Sequence, residues 1–276
     1  MSTLNNRVVF ISGASRGIGR EMALKFAKDG AKIVVAAKST EAHPKLPGTI
    51  FTVAEEVEQA GGQALPLQLD VRDDEAVVDA VNKAAEHFGG LDVVINNAGA
   101  IKLANSENLP LKRFDLMHQI NTRAVLSLSK AALPHLKKSA HAHILSLSPP
   151  LNLDPKWFQH YGPYTVTKYG MSMLTISLAQ EYRRFGIAVN SLWPQTVIAT
   201  AAVEFEGGGK SILEKGRIPA IMADAAYEVL STDKLALTGE LLIDECVLRK
   251  SGVTDFDQYR YSSENTKPLM KDLFVE

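Results

Sequence analysis

The chain has 276 residues, 46% hydrophobic and 22% charged, with a formal net charge of -1. That is enough for one large α/β domain or two small ones, and the lack of a long basic run argues against nucleic acid or an anionic membrane as partner. The single cysteine, Cys246, excludes an internal disulfide and reads as plain core, and no apolar run approaches the ~18 residues of a membrane span.

The amino-terminal stretch MSTLNNRVVFISG enters a strand almost at once, without the basic region and cleavage site of a secretory signal. The final LFVE is not a peroxisomal address, so the expected location is cytoplasmic. In chain order, RVVFISG (7–13) reads as a strand and leads through Gly13–Gly19 into a helix. Met22, Ala23, Phe26 and Ala27 recur there at helical spacing, and Gly30 suits its carboxyl cap. AKIVVAAK (31–38) is the next strand, 51–62 a helix, 63–71 a strand and 73–90 a helix with an acidic start. LDVVINNAG (91–99) is a strand, and 112–139 is one long helix, adjusted near Pro134. AHILSLS (142–148) is a strand, 164–186 a helix, 187–194 a strand, and 239–245 a last one.

Short buried strands alternating with helices imply an α/β fold, a Rossmann-type doubly wound, mainly parallel sheet of about seven strands with helices on both faces. No internal repeat or interdomain linker interrupts it. The chain reads as one domain over 1–276, with 251–276 as a carboxyl-terminal extension. Pro/Gly-rich patches at 44–48 and 207–209 read as loops within it.

SGASRGIG (12–19) joins a strand to a helix. Gly13 permits a tight turn, Gly17 lets backbone approach a pyrophosphate, and Gly19 lets helix pack on strand. An ordinary glycine turn would look similar, but the strand–turn–helix context favours a nucleotide, with Ser15, Arg16 and Ile18 lining the same loop. A carboxylate at the end of the second strand would bind the ribose hydroxyls of NAD. Here that position is Lys38, and Arg16 adds a second cation, so the expected cofactor is NADP(H). His43 and Lys45 are weaker candidates for the same pocket. Asp70, beside Val71 at the next strand end, is placed to accept from an adenine amine. In NNAG (96–99), Asn97, Ala98 and Gly99 line the cleft at the carboxyl edge of the sheet.

In YTVTK, Tyr164 and Lys168 are four residues apart and share a helix face. A nearby ammonium stabilises a phenolate, which would make an acid/base able to work nearer neutral pH. With the glycine loop, the LDV and NNAG strand ends and the asparagine of INTRA, this chain resembles the short-chain dehydrogenase/reductase family over nearly its whole length. The resemblance implies that Tyr164 is the acid/base, that Lys168 binds the nicotinamide ribose, and that Asn121 holds a water in a proton relay to Lys168. A hydride would pass between the nicotinamide and a carbonyl or alcohol carbon. Family members commonly form homodimers and homotetramers through long helices such as 112–139 and 164–186. Several stretches, HPKLPGTI and AHILSLSPPLNLDPKWF among them, resemble a subgroup whose reductase domain is often followed by a sterol-carrier-like domain. The present sequence reads as the first without the second.

Two positions depart from the family pattern. Members usually carry a catalytic serine at the end of the fifth strand; counted back from Tyr164 that place is Leu151, and aligned by strand end it is Pro149. Proline has no hydroxyl and no N–H to polarise a carbonyl. Ser148, one residue earlier, is the nearest replacement, with Ser146 deeper on the same face. WPQT (193–196) stands where the family usually has Pro-Gly, although Ile198 and Thr200 remain for the carboxamide and phosphates. Segment 201–218 reads either as a lid or as a surface loop. Leu151, Leu153, Trp157 and Phe158 point to a hydrophobic carbonyl substrate, or simply to packing. No metal site is expected. A non-catalytic NADP(H)-binding, redox-sensing protein is the alternative to an enzyme, and Pro149 is its support.

Overall fold

Short apolar runs, rich in Val and Ile in β1, β2 and β4, become the strands β1 (Val8–Ser12), β2 (Lys32–Ala37), β3 (Gln63–Gln68), β4 (Val93–Asn96), β5 (His143–Ser146), β6 (Ala188–Trp193) and β7 (Leu241–Ile243). They form one sheet in the order β3-β2-β1-β4-β5-β6-β7. Every neighbouring pair is parallel. The computed structural model describes residues 3–43, 46, 48–206, 209–264 and 268–276. Lys45 of the predicted phosphate pocket, and Gly207 and Gly208 of the predicted lid, lie outside the described residues.

The helices are α1 (Gly17–Ala27), α2 (Ile50–Gln59), α3 (Asp74–Phe88), α4 (Leu111–His118), α5 (Ala124–Leu136), α6 (Lys156–Gln159), α7 (Gly162–Tyr182), α8 (Ala201–Glu206), α9 (Lys210–Leu213), α10 (Ala220–Leu230) and α11 (Asp244–Lys250). Residues of β1 alternate between the two faces, as the period of a strand requires. Val9 and Ile11 pack with Met22 and Phe26 of α1, Val53 of α2 and Met222 of α10. Val8 and Phe10 pack with Val81 of α3, Leu128 of α5 and Leu178 of α7. A parallel sheet covered on both sides needs strands apolar on both faces, and β1 and β6 are buried throughout. β3 is one of the two edge strands and half exposed, and it carries Pro66, a residue tolerated at a sheet edge.

The helix expected over 112–139 runs without a gap over 111–136, but not as one regular α-helix. α4 passes into a π-turn, Gln119–Arg123, before α5 continues. Such a turn accommodates an extra residue and is frequent at functional sites; Asn121 lies at its centre, fully buried. Cys246 lies exposed on α11 rather than in the core, because the buried face of that helix is made by Asp244 and Leu248. Of the carboxyl-terminal extension, Arg260 bridges to Arg217 and Lys271 to Thr196, which lays the last residues against the end of β6. Among the described residues, no helix is long and apolar enough to cross a membrane.

Candidate active site

The strand order reverses beside β1, and the loops after β1 and β4 meet there at the carboxyl edge of the sheet. Gly13 and Gly17 have φ of +69° and +57°, a region that side-chain-bearing residues rarely occupy. A Cβ on Gly13 would lie 2.9 Å from the Ala98 Cα, and one on Gly19 2.5 Å from the Asn97 Nδ2. Asn97 donates that amide to the carbonyls of Ser12 and Gly13, at 2.8 and 3.0 Å. The Ser12 hydroxyl accepts from the backbone N–H groups of Asn97 and Ala98 and donates to the Ile95 carbonyl. Ser12 thus ties β1 to β4, a role the sequence reading missed. Its signal was only a hydroxyl directly ahead of the glycine loop.

α1 begins at Gly17, and among the described residues no side chain caps it, whereas Thr49 and Asp73 cap α2 and α3. Its first-turn N–H groups face the cleft without an acidic residue beside them, the arrangement that favours a phosphate. Thr200 faces this loop from across the cleft, its methyl 3.5 Å from where a Gly17 Cβ would stand. Ser15 is buried, Ile18 packs on the core, and Ile198 is buried behind Thr200. The glycine cradle and bare helix end therefore fit a dinucleotide pyrophosphate.

At the end of β2, Arg16 donates to the Ser39 hydroxyl and the Gly48 carbonyl. Lys38 pairs with Asp70 at 3.2 Å. Asp70 is also gripped by Arg72, through Nε and Nη2 and the backbone N–H. The Arg72 hydrogen bond, more than Lys38, holds the Asp70 carboxyl well below the usual range. The carboxylate expected to meet an adenine is thus occupied by two cations, and Arg72 is a third positive group at this edge that sequence reading did not single out. Val71 is buried beneath it, and exposed His43 accepts from the Leu46 N–H through its carbonyl.

The other half of the cleft lies at the ends of β5 and β6. Asn121 donates to the Ala100 carbonyl and the Thr167 hydroxyl, both at 3.0 Å, and accepts from the Ala100 N–H at 2.8 Å. Its side chain so locks the loop after Gly99 to α7, and neither amide N–H is left for a water. Lys168 is buried and donates to the Leu147 carbonyl at 2.6 Å and the Met171 sulfur at 3.2 Å. Its ammonium also lies 4.9 Å from the Trp193 ring centre. Burial lowers this ammonium to about 7, against a weaker opposing pull from Asp272.

Tyr164 departs from expectation. Burial, reinforced by Asp272, pushes its phenol up rather than down. The lysine does not relieve this, because its ammonium is directed at Leu147. The Tyr164 ring is stacked on Phe274, with centres 6.3 Å apart and planes at 27°. Ser148 is fully buried, and its hydroxyl has no partner among the described residues. The neighbouring Ser146 hydroxyl, by contrast, accepts from Asn96. Pro149 is pinned to α7 by the Ser172 hydroxyl, which donates to its carbonyl at 2.6 Å. Of the apolar residues picked from the sequence, Trp157 joins the aromatic cluster at the site. Phe158, near the surface, meets Tyr169 of that cluster edge-on at 5.8 Å, whereas Leu153 is 76% exposed and neither it nor Leu151 is in the cluster.

The tail supplies residues that no local pattern announced. Asp272 donates its N–H to the Gln195 carbonyl, and Trp193 Nε1 donates to the Leu273 carbonyl. Burial pushes the Asp272 carboxyl up to about 7. Phe274, 1% exposed, sits among the rings of Trp157, Tyr164, Tyr169 and Trp193. A separate groove of about 680 Å³, lined by Val8, Lys32 and Asp92, lies at the opposite, amino-terminal edge of the strands.

A family model described as short chain dehydrogenase matches residues 7–207. This chain belongs to the short-chain dehydrogenase family. The family's members are oxidoreductases on a nicotinamide-binding fold, which agrees with the glycine cradle. Hydroxysteroid dehydrogenase-like protein 2 of Bos taurus is 52% identical over 97% of this chain. The match spans 63% of the bovine protein's length, so the chain covers less than two thirds of that relative. A crystal structure from Xanthomonas campestris, 45% identical, superposes with a TM-score of 0.95 over 99% of both chains. A short chain dehydrogenase from Mycobacterium thermoresistibile, 48% identical, gives 0.93 over 99% of this chain and 96% of that one.

Proposed function

We propose that this chain is an NADP(H)-dependent oxidoreductase that interconverts a hydrophobic carbonyl compound and its alcohol, with Tyr164 as acid/base. The observation that carries this reading is the Ser148 hydroxyl, buried at the end of β5 without a partner among the described residues, next to the Leu147 carbonyl that buried Lys168 holds, with Tyr164 buried one turn before Lys168 on α7. A buried hydroxyl without a partner is costly, and a substrate oxygen would satisfy it.

The cofactor supplies or accepts the hydride when bound. The chain's own residues do the rest. Gly13, Gly17 and Gly19 admit the pyrophosphate against the start of α1. Arg16, Lys38 and Arg72 outweigh the single charge of Asp70 and favour a 2′-phosphate over a bare ribose hydroxyl. Tyr164 donates a proton to the substrate oxygen in reduction and takes it back in oxidation. Lys168, lowered by burial to about 7, exchanges a proton near neutral pH, one helical turn away. Ser148 donates a hydrogen bond to the same oxygen in place of the serine that Pro149 has displaced. Asn121 fixes the loop at Ala100 against α7; a relay water beside it would be held by the second lone pair of its Oδ1 or by a carbonyl of the π-turn.

NADPH oxidation against a panel of carbonyl compounds tests the proposal. Turnover by the wild type is expected, and Tyr164→Phe should lose about 10²–10⁴ in kcat while still binding NADPH. Tight NADPH binding without turnover would favour the redox-sensing alternative. The chain is also expected to form a homodimer or homotetramer in the cytoplasm. Val166, Met173 and Ile176 share one exposed face of α7, and Leu126 is exposed on neighbouring α5, which suits a two-fold contact with a second copy. Sedimentation as a monomer would remove that part.

A further inference from the structure

We infer that the ring of Phe274 occupies the substrate pocket itself, and that a flat apolar group of the substrate takes its place when the site is used. The inference rests on the oxidoreductase reading and adds to it the class of substrate, aromatic or fused-ring carbonyl compounds.

An acid/base must touch its substrate, yet Tyr164 is only 6% exposed. Something must leave for a carbonyl to reach it. The group stacked on its ring is Phe274. Around that ring the centres of Tyr169, Trp157, Trp193 and Tyr164 stand at 5.2, 5.7, 6.0 and 6.3 Å. Four rings at these separations form a cage suited to a flat apolar guest, because offset and edge-on contacts add to the area they bury. The short polar anchors of this segment fall before Phe274, at Met270, Asp272 and Leu273, while after it Glu276 is held by longer contacts from Asn152, Gln195 and Lys156, at 3.3, 3.5 and 3.6 Å. Phe274 itself has φ of +71°, a conformation costly for a bulky side chain and held only by its surroundings. The ring can therefore exchange with a guest of similar shape while the anchors stay in place. Such an exchange lowers apparent affinity by the fraction of molecules in which the pocket is open.

Both tryptophans of the chain, Trp157 and Trp193, border Phe274, so their fluorescence reports occupancy of the cage directly. The probe is 2-acetonaphthone, titrated into the full chain with NADP⁺ present, for the wild type, Phe274→Ala, Phe274→Leu and Phe274→Trp. Phe274→Ala should bind the ketone about tenfold tighter than wild type, Phe274→Leu should fall between them, and Phe274→Trp should bind more weakly. If Phe274→Ala does not fold, Phe274→Leu, which keeps much of the apolar bulk, decides. Unchanged or weaker binding by folded Phe274→Leu and Phe274→Ala would make Phe274 a fixed wall and overturn the inference. The predicted affinity order without any ketone turnover by the wild type would keep the inference and sink the oxidoreductase reading. Turnover without that order would do the reverse.

Discussion

Along the ends of β1 and β4 the chain meets the cleft with backbone and short polar side chains. Along the ends of β5 and β6 it meets the cleft with stacked rings and buried ionisable groups. In the first region every amide of interest has a partner: Asn97 is spent on Ser12 and Gly13, and the Ser12 hydroxyl serves three backbone groups. In the second, the Ser148 and Thr196 hydroxyls and one oxygen of Asp244 are buried without partners among the described residues. The first region is ready for its ligand as it stands. The second pays for closure with unsatisfied groups and shifted protons, which is where a site stores the capacity to change on binding.

Ser148→Ala is the strongest way to break this contrast. Removing a group that polarises the reacting oxygen costs about 10²–10³ in kcat. Removing a buried hydroxyl that has no partner costs the fold little, or stabilises it. The expected result is a large loss of turnover with a melting temperature equal to or above wild type. A lowered melting temperature with turnover intact would mean that the hydroxyl is structural and that the two regions differ less than described. Lys38→Asp sharpens the other side. It replaces a cation at the end of β2 with the carboxylate that suits a free ribose hydroxyl, and puts it beside Asp70. NADPH affinity should fall about 10–100-fold, the worth of a hydrogen bond to a charged group, with NADH affected less. Equal effects on both cofactors, measured by fluorescence titration, would remove Lys38 from cofactor selection.

The same contrast governs what could be read from the sequence. Seven strands, the helices α1, α2, α3 and α7 and the glycine loop were legible because each is local: apolar runs, helical spacing, and glycines at positions where backbone demands them; α10 and α11 were not read from the sequence. Tyr164 and Lys168 were legible for the same reason, being one turn apart. The π-turn at Asn121 was not, since 112–139 keeps helical spacing through it. Arg72 was visible as a residue but not as a partner of Asp70, because the reading assigned Asp70 to adenine. The direction of the Tyr164 shift was misread, because it depends on burial and on Asp272, which lies over a hundred residues away and carries no motif. Cys246 was misplaced because a lone cysteine has no periodicity, and α11 turns Asp244 inward instead.

Asp244 and Asp272 lead to the smallest of the expected effects. Burial raises Asp272 to about 7, so the folded chain holds a proton that the unfolded chain releases near pH 4. That contribution to stability is full below about pH 4 and is lost as pH rises towards 7. Asp244, raised by burial to about 6, acts in the same direction. His143, lowered by burial to about 3, acts oppositely over the acidic range, and Lys168, lowered to about 7, favours the fold only as pH rises above 7. Asp272→Asn removes this titration, because the amide stays neutral at every pH, together with the smaller couplings of Asp272 to Asp244 and Lys168. The variant's melting temperature, relative to wild type, should rise steadily between pH 4 and pH 7. Each kcal/mol of that loss would appear as roughly 2–4 °C in a chain of this size. A difference independent of pH would show that the Asp272 carboxyl is ionised throughout. The region around β6 would then be as conventionally solvated as the glycine loop, and the closed state of the site would rest on Phe274 packing alone.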